Sequence, residues 1–165
     1  MAAVVDSYFK SFCDGRESGP NNLILTHIYL LIGCAFAPTI SFVLLDGGFF
    51  SGDFLIFGLS GVVFLGIGDS LASIVGKDYG STPWVKHSSK THEGSTVLVF
   101  AVVIVLYLLS VWLFPRMCTI FLYVILATIG VAVVEGCTLQ HDNLVCPVFF
   151  FIALLQLYEF FMTLV

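Results

Sequence analysis

The chain has 165 residues, of which 59% are hydrophobic and only 10% are charged, and its mean hydropathy is +1.05. Apolar runs long enough to cross a bilayer occupy most of this length, which leaves no room for a separate soluble domain. The net charge is −5, and no run of lysines or arginines is present, so the composition argues against a nucleic-acid partner.

Five apolar segments follow in chain order, at 23–45, 54–75, 97–114, 117–134 and 144–165. Each is close to the roughly 20 residues that a transmembrane helix needs, and a helix satisfies its own backbone hydrogen bonds in lipid. The sequence therefore predicts an all-α fold, a polytopic transmembrane helical bundle of about five spans. A polar segment at 1–22 precedes this membrane domain at 23–165.

The basic residues fall mainly on one side of the predicted bundle. Five of the six lie in connections separated by an even number of crossings: Lys10, Arg16, Lys77, Lys86 and Lys90. Short basic loops tend to remain cytoplasmic. We therefore expect the segment 1–22 and the loops 76–96 and 135–143 to be cytoplasmic, and the C-terminus to be lumenal.

Asp69 is an acid inside a predicted span, flanked by Gly66 and Gly68. A carboxylate at that depth is costly and commonly marks a functional site. We interpret Asp69 as a catalytic base or a metal ligand. The alternative is an acid that reaches the interface or bonds a neighbouring hydroxyl group.

A glycine-rich, basic loop follows this acid, with Lys77 between Gly76 and Gly80. Backbone amides beside a cation are suited to phosphate oxygens, although glycines that simply end a helix give the same pattern. Lys86 and Lys90 add two ammonium groups, which either neutralise a polyphosphate or anchor the loop at the cytoplasmic face.

The loop leads into the third span through Thr91, Glu93, Gly94 and Ser95. Amides at the start of a helix favour an anion, but Thr91 to Gly94 also fits a helix-capping arrangement. Glu93 is a candidate magnesium ligand or a cap.

A second polar loop, 135–143, contains Glu135 and ends at Asp142 and Asn143, where the fifth span begins. An N-cap is the simple interpretation of Asp142. Both acids are predicted on the same membrane face as Asp69, so two or three carboxylates are expected to converge on a Mg²⁺ ion that bridges phosphates. The metal candidates are Asp69, Glu93 and Asp142.

Four motifs occur in a fixed order: Gly-Asp-x-x-Ala-Ser-x-x-Gly-Lys-x-x-Gly, then Trp84, then Lys-Thr-x-Glu-Gly-Ser, then Glu-x-x-x-x-x-x-Asp-Asn. Together they resemble the C-terminal part of dolichol kinases, within the wider group of polyprenol, phytol and CTP-dependent diacylglycerol kinases. The resemblance runs from about Ser18 to the end of the chain. It implies transfer of the γ-phosphoryl group of CTP to the hydroxyl of dolichol at the endoplasmic reticulum membrane, giving the lipid phosphate used in glycosylation.

The resemblance also implies roles for individual residues. Asp69 would be the essential acid, and Asp69 or Asp142 would orient the alcohol while the other holds Mg²⁺ or another divalent cation. The residues expected to contact CTP are Gly76, Lys77, Gly80, Lys86, Lys90, Thr91, Glu93, Gly94 and Ser95. The implied partners are dolichol or a related polyprenol, CTP and membrane lipid, while the oligomeric state stays open.

Dolichol kinases are much longer than this chain, and their upstream spans with a basic Arg-Lys motif have no counterpart in it. The resemblance therefore suggests a truncated form with little or no kinase activity alone. Two other classes stay open: a related membrane lipid-alcohol kinase or cytidylyltransferase acting on phytol or diacylglycerol, and a non-catalytic membrane protein.

Overall fold

The computed structural model describes residues 26–44, 52–86, 89–113, 120–138 and 142–162, so the predicted N-terminal segment 1–22 lies outside the described residues. Five helices account for nearly all of these ranges: α1 (Thr26–Leu44), α2 (Gly52–Val62, continuing through a π-helical segment Val63–Asp69 and Ser70–Tyr79), α3 (His92–Leu113), α4 (Ile120–Cys137) and α5 (Asp142–Met162). No β-strand occurs within the described ranges, apart from an isolated bridge between Pro83 and Thr91.

The helices have the length and polarity of a multi-pass membrane protein. Within the described ranges, three apolar stretches are long enough to cross a membrane, Leu55–Tyr79 in α2, His92–Trp112 in α3 and Asp142–Phe160 in α5, and two shorter ones are Ile28–Leu44 and Phe121–Cys137. Large apolar side chains point outward, including Phe100 and Trp112, as expected where lipid replaces water. The prediction of an all-α membrane bundle is confirmed.

Each helix packs against the next in sequence, and α5 returns to α1, so the five helices form a closed ring. Glycines bring α1 and α2 together, because a Cβ atom on Gly61 would lie only 2.9 Å from the carbonyl oxygen of Gly33. Aromatic pairs join α2 to α5, with ring centroids 5.3 Å apart for Phe64 and Phe150. Helix α2 thus contacts α1, α3 and α5, three of the other four helices.

Two helices end later than hydropathy predicted. Helix α2 continues to Tyr79 instead of ending near residue 75, and it stops at Gly80, which has extended backbone angles (φ −68°, ψ 120°). Helix α4 likewise continues to Cys137. Hydropathy detects the apolar core of a bilayer, whereas a helix can extend beyond it with polar turns. The connection between α2 and α3 is therefore 80–91, and Gly76 and Lys77 belong to the last turns of α2.

The π-helical segment Val63–Asp69 ends at the candidate catalytic acid. In a π-helix the backbone hydrogen bonds join residues five positions apart instead of four. The hydroxyl of Ser70 likewise lies 3.4 Å from the carbonyl oxygen of Leu65, five residues earlier. Gly68 within the segment is buried, and a Cβ atom there would lie 2.6 Å from Cγ2 of Val102. The bare backbone of Gly68 therefore allows α2 to approach α3 next to Asp69.

Candidate functional site

A cavity of about 190 Å³ lies where the C-terminal halves of α2 and α4 meet the first turns of α3 and α5. Its lining residues are small, polar or charged: Asp69, Ala72, Ser73, Gly76, Lys77, Ser89, Lys90, Thr91, Gly94, Ser95, Glu135 and Asp142. Because the chain enters and leaves these four helices at the same end of the bundle, the two predicted polar loops lie next to each other there.

Most of the residues predicted from the sequence line this cavity. Both candidate catalytic acids are present, as are six of the nine predicted nucleotide contacts: Gly76, Lys77, Lys90, Thr91, Gly94 and Ser95. Gly80, Lys86 and Glu93 are not among its lining residues. Glu135, which the sequence suggested only as a third converging carboxylate, does line it.

Lys90 is the centre of an ionic cluster within the cavity. Its Nζ lies 2.5 Å from Oδ2 of Asp142 and donates a hydrogen bond of 2.8 Å to the carbonyl oxygen of Glu135. The Oε1 atom of Glu135 is 3.9 Å away. All three side chains are largely buried, which strengthens the attraction between their charges. Lys90 thereby links the loop before α3 to the end of α4 and the start of α5.

Two carboxylate oxygens of this cluster are left without partners. Oε2 of Glu135 and Oδ1 of Asp142 are both buried and make no hydrogen bond. Leaving a buried acceptor unpaired is costly, so both atoms are available to a ligand. Carboxylate oxygens are the ligands that Mg²⁺ prefers in proteins, and it is usually held by one or two of them together with water and substrate phosphates. The donor atoms at this end of the bundle therefore fit a divalent cation.

Glu93 lies outside this cluster. Its carboxylate accepts hydrogen bonds from the hydroxyl groups of Ser81, at 2.6 Å, and Thr82, at 2.8 Å, and also from the backbone N–H of Thr82. These bonds fasten the loop 80–91 to the first turn of α3. The structure does not bring Glu93 together with Asp69 and Asp142, and no three metal-binding side chains among the described residues form a site by themselves.

Trp84 fixes the loop in place. Its indole Nε1 donates a hydrogen bond of 2.8 Å to the hydroxyl oxygen of Ser95, and its ring stacks on His92 with centroids 4.0 Å apart. The same ring lies against Gly136 in α4. In the sequence, Trp84 was only one element of the family resemblance. Its position as a single tryptophan in a polar loop was the one sign that it anchors this loop.

Thr91 is the N-cap of α3, as the capping alternative predicted. Its Oγ1 accepts a hydrogen bond of 3.2 Å from the backbone N–H of Gly94, and its carbonyl accepts one from Ser95 N–H. A Cβ atom on Gly94 would lie 2.8 Å from the carbonyl oxygen of Ala72, and one on Gly76 would lie 3.1 Å from Oγ1 of Thr91. These glycines are therefore needed for close contact between α2 and α3.

Comparisons with known proteins identify relatives for almost the whole chain. It is 33% identical to the dolichol kinase sec59 of Schizosaccharomyces pombe and 34% identical to a human dolichol kinase, in each case over 90% of this chain and 28% of the relative. The dolichol kinase EVAN of Arabidopsis thaliana is 31% identical over 87% of this chain and 24% of its own length. The chain thus spans about a quarter of the curated relatives it matches. No family model and no solved structure matches.

Proposed function

Because the chain is similar to dolichol kinases along about 90% of its length, we propose that it carries the nucleotide-binding and phosphoryl-transfer site of a dolichol kinase. The observation that carries this proposal is the convergence of Asp69, Lys90 and Asp142 on one cavity, although they lie in separate motifs of the sequence. Carboxylates beside lysines are what phosphoryl transfer requires, since its catalysis is mainly positioning and charge neutralisation.

The phosphates of the nucleotide would lie at the first turn of α3. Lys77 and Lys90 line the cavity there with the backbone of Gly94, and the amide groups at the start of a helix favour an anion. We propose CTP as the phosphoryl donor, because the Lys-Thr-x-Glu-Gly-Ser motif resembles the CTP-binding region of dolichol kinases. Lys86 lies outside the cavity lining and would contribute only at longer range.

Asp69 and Asp142 lie at different depths in the bundle, which suggests a different chemical role for each. Asp69 lies about 15 Å along the helix axis from Tyr79, at about 1.5 Å per residue, whereas Asp142 is the first residue of α5. We assign Asp69 to the lipid alcohol, whose proton it would accept as the hydroxyl oxygen bonds to the γ-phosphorus and the bond to the β-phosphate oxygen breaks. Asp142 and Glu135 would hold the divalent cation. When bound, that cation neutralises charge on the phosphates.

The cellular setting of this reaction is also a proposal. By resemblance, the acceptor is dolichol or a related polyprenol in the endoplasmic reticulum membrane, and the product serves glycosylation. The distribution of lysine and arginine residues along the chain supports a cytoplasmic position for the cavity end of the bundle, where CTP is available.

Two assays, one of nucleotide binding and one of phosphoryl transfer, test this function. The purified chain in lipid nanodiscs should photo-crosslink to radiolabelled CTP, and unlabelled CTP should compete better than ATP. Membranes containing the chain, alone or co-expressed with the remaining part of a relative, should convert dolichol to dolichyl phosphate when supplied with CTP. Phytol or diacylglycerol as the preferred acceptor would point to the related kinases, and failure of both crosslinking and transfer in both settings would overturn the proposal.

A further inference from the structure

The ammonium group of Lys90 lies among oxygen atoms of α4 and α5. Its Nζ is surrounded by Oδ2 of Asp142, the carbonyl oxygen of Glu135 and, at 3.9 Å, Oε1 of Glu135. One carbonyl and two carboxylate oxygens are also the kind of ligands that bind Mg²⁺ or Ca²⁺. The ammonium group is therefore located where a metal ion would find suitable ligands.

The ammonium group of Lys90 does not pair with every carboxylate oxygen in this cluster. Glu135 is only 6% exposed, yet its Oε2 has no hydrogen-bond partner, and Oδ1 of Asp142 is also unpaired. Asp69 contributes a third carboxylate to the same cavity. Buried acids with unpaired oxygens are costly, so the cluster has unused capacity to bind positive charge. A divalent cation would use that capacity better than one ammonium group does.

We infer that Lys90 holds the place of a divalent cation between Glu135 and Asp142, and that the arriving cation displaces its ammonium group toward the nucleotide phosphates. The lysine side chain suits this exchange because it is a compact charge on a flexible four-carbon stem. The inference deepens the proposed function and rests on it for the identity of the nucleotide. The displacement of Lys90 by the cation involves only the cation and residues of this chain.

The exchange couples two binding events. A cation bound to Glu135 and Asp142 releases Lys90 for the phosphates, and a nucleotide that attracts Lys90 leaves both carboxylates to the cation. Because such coupling is reciprocal, each ligand should raise the affinity for the other by the same factor. This makes Glu135 a cation-binding residue and gives Lys90 two alternative partners within one reaction cycle.

Mn²⁺ binding to the purified chain in nanodiscs, followed by electron paramagnetic resonance of the free ion, tests the exchange without any need for activity. Lys90→Met keeps the alkyl stem and removes the charge, so without nucleotide it should raise Mn²⁺ affinity by roughly tenfold or more, the size expected when a competing charged hydrogen bond is lost. Lys77→Met is the matched control, because it removes one positive charge from the lining of the same cavity. It should raise the affinity much less.

Two further measurements complete the design. Glu135→Gln in the Lys90→Met background should cancel the gain, and CTP should raise Mn²⁺ affinity more in the parent chain than in Lys90→Met, where only the direct contact between the cation and the phosphates is left. Unchanged or weaker Mn²⁺ binding in Lys90→Met would overturn the inference, and so would an equal gain in Lys77→Met. If Lys90→Met does not insert, Lys90→Ala replaces it in the same comparison. Failure of the CTP measurement alone, with the Mn²⁺ pattern intact, would refute the coupling to the nucleotide and leave the displacement of Lys90 by the cation standing.

Discussion

The indole ring of Trp84 lies so close to the backbone of Gly136 that a Cβ atom on this glycine would stand 2.5 Å from two ring carbons. Gly136 directly follows Glu135, whose carbonyl oxygen accepts the hydrogen bond from Lys90. The contact therefore sets the distance between the loop 80–91 and the end of α4. It links a packing requirement to the geometry of the ionic cluster.

Gly136→Ala should disturb the site without disturbing the rest of α4. The added methyl group would force the Trp84 ring away, at a cost of about 1–3 kcal/mol for overpacking a well-packed contact. We expect a lower thermal unfolding temperature and weaker crosslinking to CTP. Gly130→Ala is the control in the same helix, because nothing lies within 4 Å of a Cβ atom there. Equal behaviour of the two variants would show that the Trp84 contact has no such role.

Asp69→Asn should abolish phosphoryl transfer while membrane insertion continues, since asparagine keeps the shape of the side chain but cannot accept the proton of the alcohol. Formation of dolichyl phosphate per inserted molecule measures this, in membranes where the parent chain is active. Asp78→Asn serves as the comparison, because Asp78 is exposed on the same helix and is not among the residues that line the cavity. Near-normal transfer by Asp69→Asn would defeat the assignment of this acid.

The two glycines of the π-helical segment should differ in their tolerance of a side chain. Gly68→Ala would place a methyl group 2.6 Å from Val102 and should destabilise the bundle by about 1–3 kcal/mol. Gly66→Ala meets no atom within 4 Å and should be neutral or slightly stabilising. Denaturant unfolding in mild detergent compares them, and a destabilised Gly66→Ala beside a stable Gly68→Ala would contradict the observed contact between α2 and α3.

Glu93→Ala should affect only the order of the loop 80–91, whereas Glu135→Gln should affect only cation binding. Removing the Glu93 carboxylate deprives Ser81 and Thr82 of their acceptor, so hydrogen exchange in the loop 80–91 should accelerate while Mn²⁺ affinity is kept. Glu135→Gln should weaken Mn²⁺ binding and leave exchange in the loop unchanged. Loss of Mn²⁺ binding in Glu93→Ala, with the loop unchanged, would instead support the metal role that the sequence suggested for this acid.

The predicted membrane orientation can be tested with inserted glycosylation sites. An acceptor sequence placed between Asp46 and Asp53, a connection that lies mainly outside the described residues, should be glycosylated because it is expected to face the lumen. One placed between Gly80 and Lys90 should stay unmodified. The opposite pattern, read from gel mobility before and after deglycosylation, would invert the topology and separate the cavity from cytosolic nucleotide.

The sequence predicted the membrane bundle because apolar runs near 20 residues have few alternatives in lipid. It also predicted that Asp69 and Asp142 converge, with Lys90 as a nucleotide contact, since polar residues are rare in such a chain and are therefore conspicuous. Partners inside the site were harder to predict. Glu93 and Glu135 looked alike as acids near a helix end, and only the path of the loop decides that one binds Ser81 and Thr82 while the other enters the cavity.

The glycines were open to two interpretations for a related reason. Gly76, Gly80 and Gly94 form a pattern typical of phosphate-binding loops, but sequence spacing does not distinguish amides that face a ligand from backbones that face each other. Gly76 lies within α2, and a Cβ atom on Gly80 would meet Thr91, so these two allow close packing. Nucleotide contact at the glycines stays a prediction.

The π-helical segment that ends at Asp69 makes the effect of a change in the length of α2 depend on where in the helix the change falls. Deleting one residue from Val63–Asp69 would let the segment relax to ordinary α-helical pitch, in which each residue turns the helix by about 100°. Because a π-helical turn contains about one residue more than an α-helical turn, the half of α2 beyond the deletion would keep nearly its present orientation, and Asp69 would stay near Lys90 and Asp142. An insertion or deletion in the regular α-helical part Gly52–Val62 should instead turn Asp69 by about 100° away from the cavity and act like a frameshift of the site geometry.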